Sequence, residues 1–469
     1  MNNIVRLFVR FVLLVLRGLP GVLASLIFCA TSVATATEVK KPVVIGYYLL
    51  EKDQINSYAD GKTEFPVSAI TPEKARMLTH INYSFLNISE EGQCALEEGT
   101  DPQMARKVFD ELQGLKKHNA DLRILFSIGG WSYTNDDSAT VGRYRTAAAS
   151  SNARQKLAQS CIAFMRDYGF DGIDIDWEYP RAEDSANFVA LLKEIRRQLK
   201  QEKRDGKPAW QLTIAAAGGA FNMARTYQYL PQIAAQLDYI NLMTYDLNGP
   251  WEQQTNHNAH LYGNTGEHLF ENPLRALPFK PALSKKVLEQ RFPSPFALTV
   301  DAAVQQYLRA GVPAAKLVLG LPFYGRAFFQ VAPDKQGLYQ THATPAGDVY
   351  VGDPGLLTGC DACTARKDPR IATYADIKKL LASPLGYKSY FGADTKVPWI
   401  YNADKKIFIS YDNEESFAYK VTYLKKYGLA GAMFWHLGQD DEQGSLLRSL
   451  YMHLNPETSL QGGVQYISK

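Results

Sequence analysis

Eight short apolar runs recur along the chain, separated by longer segments whose apolar residues fall three and four apart. The runs are Val43–Tyr48, His80–Phe85, Leu122–Ile128, Phe170–Trp177, Leu212–Ala217, Tyr239–Tyr245, Leu317–Phe323 and Gly431–Leu437. They alternate only in part, as strands covered on both faces do. Between two of them, Phe188, Leu191, Leu192, Ile195 and Leu199 take helical spacing and predict one apolar helix face. Thr71-Pro72-Glu73 reads as a helix start, a capping hydroxyl followed by proline in the first turn. Eight β/α repeats predict an α/β fold, a (β/α)8 TIM barrel with function at the C-terminal ends of its strands. An open, doubly wound sheet is the alternative use of the same elements.

Two connections are too long to be simple crossovers. Residues 247–296, after the sixth strand, contain Trp251, Asn256 and His257, and loops of that length usually carry function. Residues 327–412 have a pattern of their own. Tyr374–Ala382 reads as a helix, and Val397–Tyr401 with Ile407–Tyr411 reads as a hairpin around Asn402-Ala403-Asp404. This predicts a small α+β insertion between strand seven and its helix. The barrel is expected over residues 37–455, and the polar stretch 456–469 is expected to be a mobile tail.

The N-terminal 36 residues stand apart. Arg6, Arg10 and Arg17 precede an apolar stretch from Val22 to Val33, and Ala34-Thr35-Ala36 fits a small-x-small cleavage site. The pattern predicts a signal peptide cut after Ala36 and a secreted protein, extracellular or periplasmic. Retention as a membrane anchor is the other reading, disfavoured because the apolar run is short and interrupted. Loss of the three arginines takes the formal net charge from +3 to 0. A neutral chain asks for no nucleic acid and no stable membrane association, and a monomer is expected. Of the five cysteines, Cys29 leaves with the leader, and Cys94 and Cys161 are expected to be buried thiols. Cys360-Asp361-Ala362-Cys363 would suggest a redox or half-zinc site in the cytosol; in an exported chain it reads as a local disulfide.

The candidate chemistry lies in the fourth run, Asp171-Gly172-Ile173-Asp174-Ile175-Asp176-Trp177-Glu178. Residues two apart on a strand share a face. Asp174, Asp176 and Glu178 therefore point one way, while Ile173, Ile175 and Trp177 point the other. Clustered carboxyls raise one another's pKa, so Glu178, last in line, can keep a proton near neutral pH as a general acid must. Asp171 has the opposite parity and a structural role is expected for it. A solvated acidic strand or a metal site would be the blander readings; the apolar interleaving disfavours the first. If the acid serves glycoside cleavage, two carboxyls from one strand face cannot readily flank the bond, which hints that the nucleophile is supplied elsewhere; a substrate's own acetamido group is a known exception of that kind.

That run resembles the D-x-x-D-x-D-x-E motif of glycoside hydrolase family 18. Ser127-Ile128-Gly129-Gly130-Trp131 is similar to the family's third-strand S-x-G-G, and Met243-Thr244-Tyr245-Asp246 to its sixth-strand motif. The resemblance runs from about Val43 to Met452 and implies a chitinase. It implies that Glu178 protonates the glycosidic oxygen and that Asp176 orients the substrate's acetamido group and stabilises an oxazolinium ion. Asp174 would share a proton with Asp176, Tyr245 would bond the acetamido oxygen, and Asp246 would hold the distorted sugar. Trp435 matches the floor under the reacting sugar, and Trp131 and Trp251 match stacking platforms. Tyr324, Arg326, Tyr47, Phe221 and Asp348 are expected along the cleft, with Ser127, Gly129 and Gly130 structural. Neither cofactor nor metal is implied, and the partner is chitin or a chito-oligosaccharide. Relatives often append an aromatic chitin-binding module; none follows the last helix here, so weaker binding to crystalline chitin is expected. Two other readings share the barrel, an inactive chitin-binding lectin and an endo-β-N-acetylglucosaminidase acting on glycoproteins. The lectin reading is disfavoured because every acid of the motif is present. A metal-dependent deacetylase would need ligand spacing that the eight histidines do not show.

Overall fold

The computed structural model describes residues 41–61, 63–204, 206, 208–263, 298–344, 368 and 370–456. The leader 1–36, Asp348, the Cys360/Cys363 pair and the tail beyond 456 lie outside the described residues. In chain order the first strands are β1 (Val43–Leu49), β2 (His80–Ile88), β3 (Cys94–Ala95), β4 (Arg123–Gly129), β5 (Gly172–Asp176), β6 (Gln211–Ala217) and β7 (Tyr239–Met243). They are followed by β8 (Leu317–Pro322), β9 (Tyr324–Phe328), β10 (Ile371–Thr373), β11 (Lys388–Phe391), β12 (Pro398–Asn402), β13 (Ile407–Ser410) and β14 (Gly431–Trp435).

The eight apolar runs form one closed parallel sheet in the order β1-β14-β8-β7-β6-β5-β4-β2, with β1 paired back onto β2. This is the expected (β/α)8 barrel, and closure excludes the doubly wound alternative. Four of the runs end sooner as strands than their apolar patterns, among them β5 at Asp176 and β7 at Met243. Glu178, Tyr245 and Asp246 therefore lie just past the strand ends, where the backbone opens into the mouth.

The strands carry their apolar residues outward. Ile124, Phe126, Ile173, Ile175, Leu212, Ile240, Leu242, Leu319 and Phe434 all pack into one large core with the surrounding helices. In the helix Ser185–Gln201 the five residues at helical spacing are buried. The helix Pro72–Met77 starts as expected, Thr71 accepting the Lys74 amide ahead of the N1 proline. Burying a side chain of this size contributes roughly 1.5–3 kcal/mol.

The inward positions are different in kind. A small apolar cluster of Val43, Ile45, Tyr47, Ala215, Tyr239, Val318 and Met433 shares the interior with buried Asn82, Ser127, Asp174, Asp176, Thr213 and Asn241. At the N-terminal end of the barrel, Asp171 accepts the Ile124 amide at 2.9 Å and pairs with Lys116 at 2.7 Å, with Arg204, and at 3.9 Å with Arg123. Burial pushes the Asp171 carboxyl up, but these partners outweigh it and hold it below the ordinary carboxylate range.

Between β8 and the helix Glu414–Tyr427 lies a five-stranded antiparallel sheet in the order β10-β9-β13-β12-β11. It takes in Tyr324 and Arg326, both on β9. The helix Tyr374–Ala382 and the β12–β13 hairpin fall where their patterns place them. Behind this sheet Lys420 pairs with Asp412 at 2.6 Å, both side chains fully buried.

Removing one partner of such a pair strands the other charge. Lys420→Met is expected to lower stability by roughly 3–5 kcal/mol in urea unfolding, and adding Asp412→Leu to recover most of the loss. Equal stability of the single and double variants would contradict this account.

Candidate active site

The C-terminal mouth of the barrel is organised around β5. Register sets Ser127, Asp174 and Thr213 side by side across β4, β5 and β6. Their side chains meet as a result. Asp174 accepts bonds from Ser127 Oγ at 2.7 Å, Tyr47 Oη at 2.9 Å, Thr213 Oγ1, and Asn241 Nδ2 at 3.3 Å. Burial pushes the Asp174 carboxyl up and the four donors pull it back, leaving it above the usual range.

One pleat further on, Asp176 has the opposite surroundings. Its Oδ1 is buried with no hydrogen-bond partner among the described residues. Burial first, then the charges of Glu178 and Asp174, hold its carboxyl well above the ordinary value. Among the described residues no hydrogen bond joins Asp174 to Asp176; the two interact through charge.

Glu178 is half-buried at the mouth, its amide donating to Thr134 Oγ1 at 2.9 Å. Its carboxyl is raised to about 7: burial is the main cause, bonds from Tyr179 and the Trp131 backbone pull against it, and the charge of Asp246 adds to it. The sequence pattern suggested that Asp174 and Asp176 would supply the repelling charge. In the structure Asp246, from the end of β7, adds a repelling charge on Glu178 that the pattern did not show. Asp176 and Glu178 also interact through charge, an interaction that raises the Asp176 carboxyl.

Gly129 and Gly130 make this geometry possible. Both have left-handed φ, +106° and +84°, and Gly129 pairs with Asp176 in the ladder. A Cβ on Gly129 would stand 2.2 Å from the Asp176 carbonyl oxygen, and one on Gly130 would stand 2.6 Å from the Phe85 ring. The Gly130 amide donates to that same carbonyl at 2.8 Å.

Across the mouth, Asp246 accepts a bond from Arg326 Nε at 2.7 Å. The Arg326 guanidinium stands 5.2 Å from the Trp251 ring and 5.4 Å from the Tyr324 ring. Burial disfavours its charge, but Asp246 more than offsets this and raises its pKa. The Tyr245 hydroxyl is 3.8 Å from Met433 Sδ, and its ring meets Tyr324 edge-on at 6.2 Å. Trp435 is half-buried, stacked on Phe85 at 5.6 Å and tilted against Tyr47 at 5.7 Å. Trp131 and Trp251 are 52% and 49% exposed, too much for core residues. Phe221 lies on the helix Ala220–Thr226 after β6, its side chain outside the described residues. Among the described residues no cluster of three or more His, Cys, Asp or Glu side chains is placed to hold a metal. None of the described helices is long and apolar enough to cross a membrane.

Residues 43–440 match the family of glycosyl hydrolases family 18. The chain belongs to that family. It is 50% identical over 422 residues to chitinase B of Serratia marcescens, covering 88% of this chain and 84% of that one. It is 30% identical to chitotriosidase-1 of Mus musculus, covering 81% of this chain and 72% of that one. Among solved structures, the group IV chitinase of Ostrinia furnacalis superposes with a TM-score of 0.68 at 28% identity, covering 88% of this chain and 99% of that one. The protein is thus a glycoside hydrolase.

Sequence reasoning overlooked several residues that this family member brings to the site: Thr213 and Asn241 beneath Asp174, Phe85 beneath Trp435, and Tyr179 and Thr134 beside Glu178. Thr213 and Asn241 had a signal. Each is a single polar residue interrupting an apolar strand, an arrangement that costs stability unless the group finds a partner inside.

Gly129→Ala is expected to cost roughly 2–4 kcal/mol, combining left-handed strain with overpacking. It should also displace Asp176 and reduce hydrolysis of a chromogenic glycoside by about a hundredfold or more. Urea unfolding and steady-state rates check both; an alanine variant with wild-type rates would show that β4 and β5 can separate without cost.

Proposed function

We propose that this glycoside hydrolase cuts β-1,4 bonds between N-acetylglucosamine units of chitin and chito-oligosaccharides, with retention and with the substrate's acetamido group as nucleophile. The observation that carries the reading is the pair at the end of β5. A carboxyl with a pKa of about 7, Glu178, stands beside a buried carboxyl, Asp176, that has an oxygen free to bond. Both come from one strand end, so they serve one side of the bond and leave the opposite side to the substrate.

In the first step the Glu178 carboxyl gives its proton to the glycosidic oxygen as the bond to the anomeric carbon breaks. The acetamido carbonyl oxygen attacks that carbon, closing an oxazolinium ring, and Asp176 accepts the acetamido N–H. The ring's positive charge draws Asp176 toward its ionised form, the proton passing to Asp174. Three of the four donors around Asp174 are hydroxyls, which can rotate to accommodate a protonated carboxyl. Tyr245 bonds the acetamido oxygen and Asp246 holds the distorted sugar. In the second step Glu178, now a carboxylate, takes a proton from the water that opens the ring. General acid–base help of this kind contributes about 10²–10⁴-fold. Trp435 forms the floor, with Trp131 and Trp251 as outer platforms and Tyr47, Tyr324, Arg326, Phe221 and Asp348 along the cleft.

The printed names of the relatives support the substrate, since chitinase B and chitotriosidase-1 are among them. The N-terminal arginines, apolar run and Ala34-Thr35-Ala36 support export of a monomer cut near Ala36, with Cys360 and Cys363 as a local disulfide.

Glu178→Gln is expected to lower kcat on labelled chito-oligosaccharides by about a thousandfold or more while binding stays within about threefold. Asp176→Ala should lower kcat about as far, because the acetamido group loses its support. Persistent hydrolysis by the Gln variant would overturn the assignment of the acid. The first step needs protonated Glu178, so kcat/KM is expected to hold below pH 7 and to fall as pH rises through about 7. A flat profile from pH 5 to 9 would contradict the site's electrostatics.

A further inference from the structure

Asn258 lies in the loop after β7, fully buried, and no step above uses it. It makes four hydrogen bonds to three separate parts of the chain. Its Oδ1 accepts the Asp246 amide at 2.8 Å, and its carbonyl accepts the Leu247 amide at 3.0 Å. Its own amide donates to Ser410 Oγ at 2.8 Å, on β13, and its Nδ2 donates to the Tyr324 carbonyl at 3.4 Å, on β9. Asp246 has φ +54°, a left-handed conformation that a non-glycine residue keeps only when its surroundings impose it. The Asn258 side chain accepts the Asp246 amide in this turn. Arg326, on the same β9 that Asn258 holds, then takes the Asp246 carboxylate. The asparagine thus fixes Asp246 from its backbone and fixes the strand that carries the partner of its side chain.

We infer that Asn258 is a positioning residue for the hydrolysis: it acts through Asp246 to hold the distorted sugar in place and to set the charge that faces Glu178. The inference rests on the glycosidase reading above. An amide is the side chain this position calls for, because it must accept from one backbone N–H and donate to one backbone carbonyl at once. An aspartate keeps the acceptor but donates only when protonated. Alanine keeps neither and removes the side-chain acceptor of the Asp246 amide.

The test compares wild type, Asn258→Ala and Asn258→Asp on labelled chito-oligosaccharides, with melting curves to confirm folding. Asn258→Ala is expected to lower kcat by about 10- to 100-fold with KM within about threefold, the split that marks lost transition-state positioning. The titratable groups facing Glu178 are Asp176, Tyr179, Tyr245 and Asp246, and Asn258 bonds only the last. With Asp246 displaced, its repulsion of Glu178 weakens, so the alkaline limb of kcat/KM should move to lower pH by about 0.3 units or more. Asn258→Asp should recover about tenfold of the lost kcat at pH 5, where its carboxyl can still donate, and less at pH 8. A kcat for Asn258→Ala within about twofold of wild type would overturn the inference. So would a loss with an unmoved alkaline limb and no recovery in Asn258→Asp, which would mark a purely structural residue. If Asn258→Ala does not fold, Asn258→Ser, which also lacks reach to the Asp246 amide, takes its place with the same criteria. Failure of the wild-type enzyme to cut the oligosaccharides would sink the glycosidase reading itself; wild-type cleavage with an unaffected variant sinks only the role of Asn258.

Discussion

A carboxyl group taken out of water without a donor costs several kcal/mol, and β5 buries two carboxyls one pleat apart. The barrel interior is arranged around that cost. Asp174 is surrounded by four donors drawn from β1, β4, β6 and β7, so half of the barrel's strands contribute to a single carboxylate. Asp176 is left with an oxygen that has no partner among the described residues, and its carboxyl is held well above the ordinary range. Because the interior is given over to polar groups, the outward faces of the strands and the helices carry most of the apolar burial.

The aspartates at the two ends of β5 show how position decides protonation. Asp171 and Asp176 are both buried. At the N-terminal end Asp171 meets Lys116, Arg123 and Arg204 and is held ionised. At the C-terminal end Asp176 meets the carboxyls of Glu178 and Asp174 and the hydroxyls of Tyr144, Tyr179 and Tyr245, and it is held above the ordinary range. Folding thus holds one carboxyl below the ordinary range where the strand is anchored and another above it at the mouth of the barrel.

Much of this was legible in the sequence, and the legible part was local. The strand runs, the helical face from Phe188 to Leu199 and the Thr71 cap follow from spacing and capping rules that act within one element. The parity of Asp174, Asp176 and Glu178 is a property of a single strand. The rest depends on register and closure. That Thr213 faces Asp174 requires knowing how β5 pairs with β6, and that Asp246 repels Glu178 requires the barrel to bring the ends of β5 and β7 together. Tyr324 and Arg326 read as residues trailing strand seven, because a chain that leaves one sheet and enters another without a turn signal looks continuous.

The inserted sheet has a consequence for how such proteins can be recombined. Its strand β9 supplies Arg326 to Asp246, while the barrel's own loop supplies Asn258 to β9 and β13. Each piece completes the other. The insertion is therefore not an interchangeable part: a chimera that exchanged residues 324–410 alone would separate both clasps, and the smallest transplantable unit also includes the loop from Asp246 to Asn258.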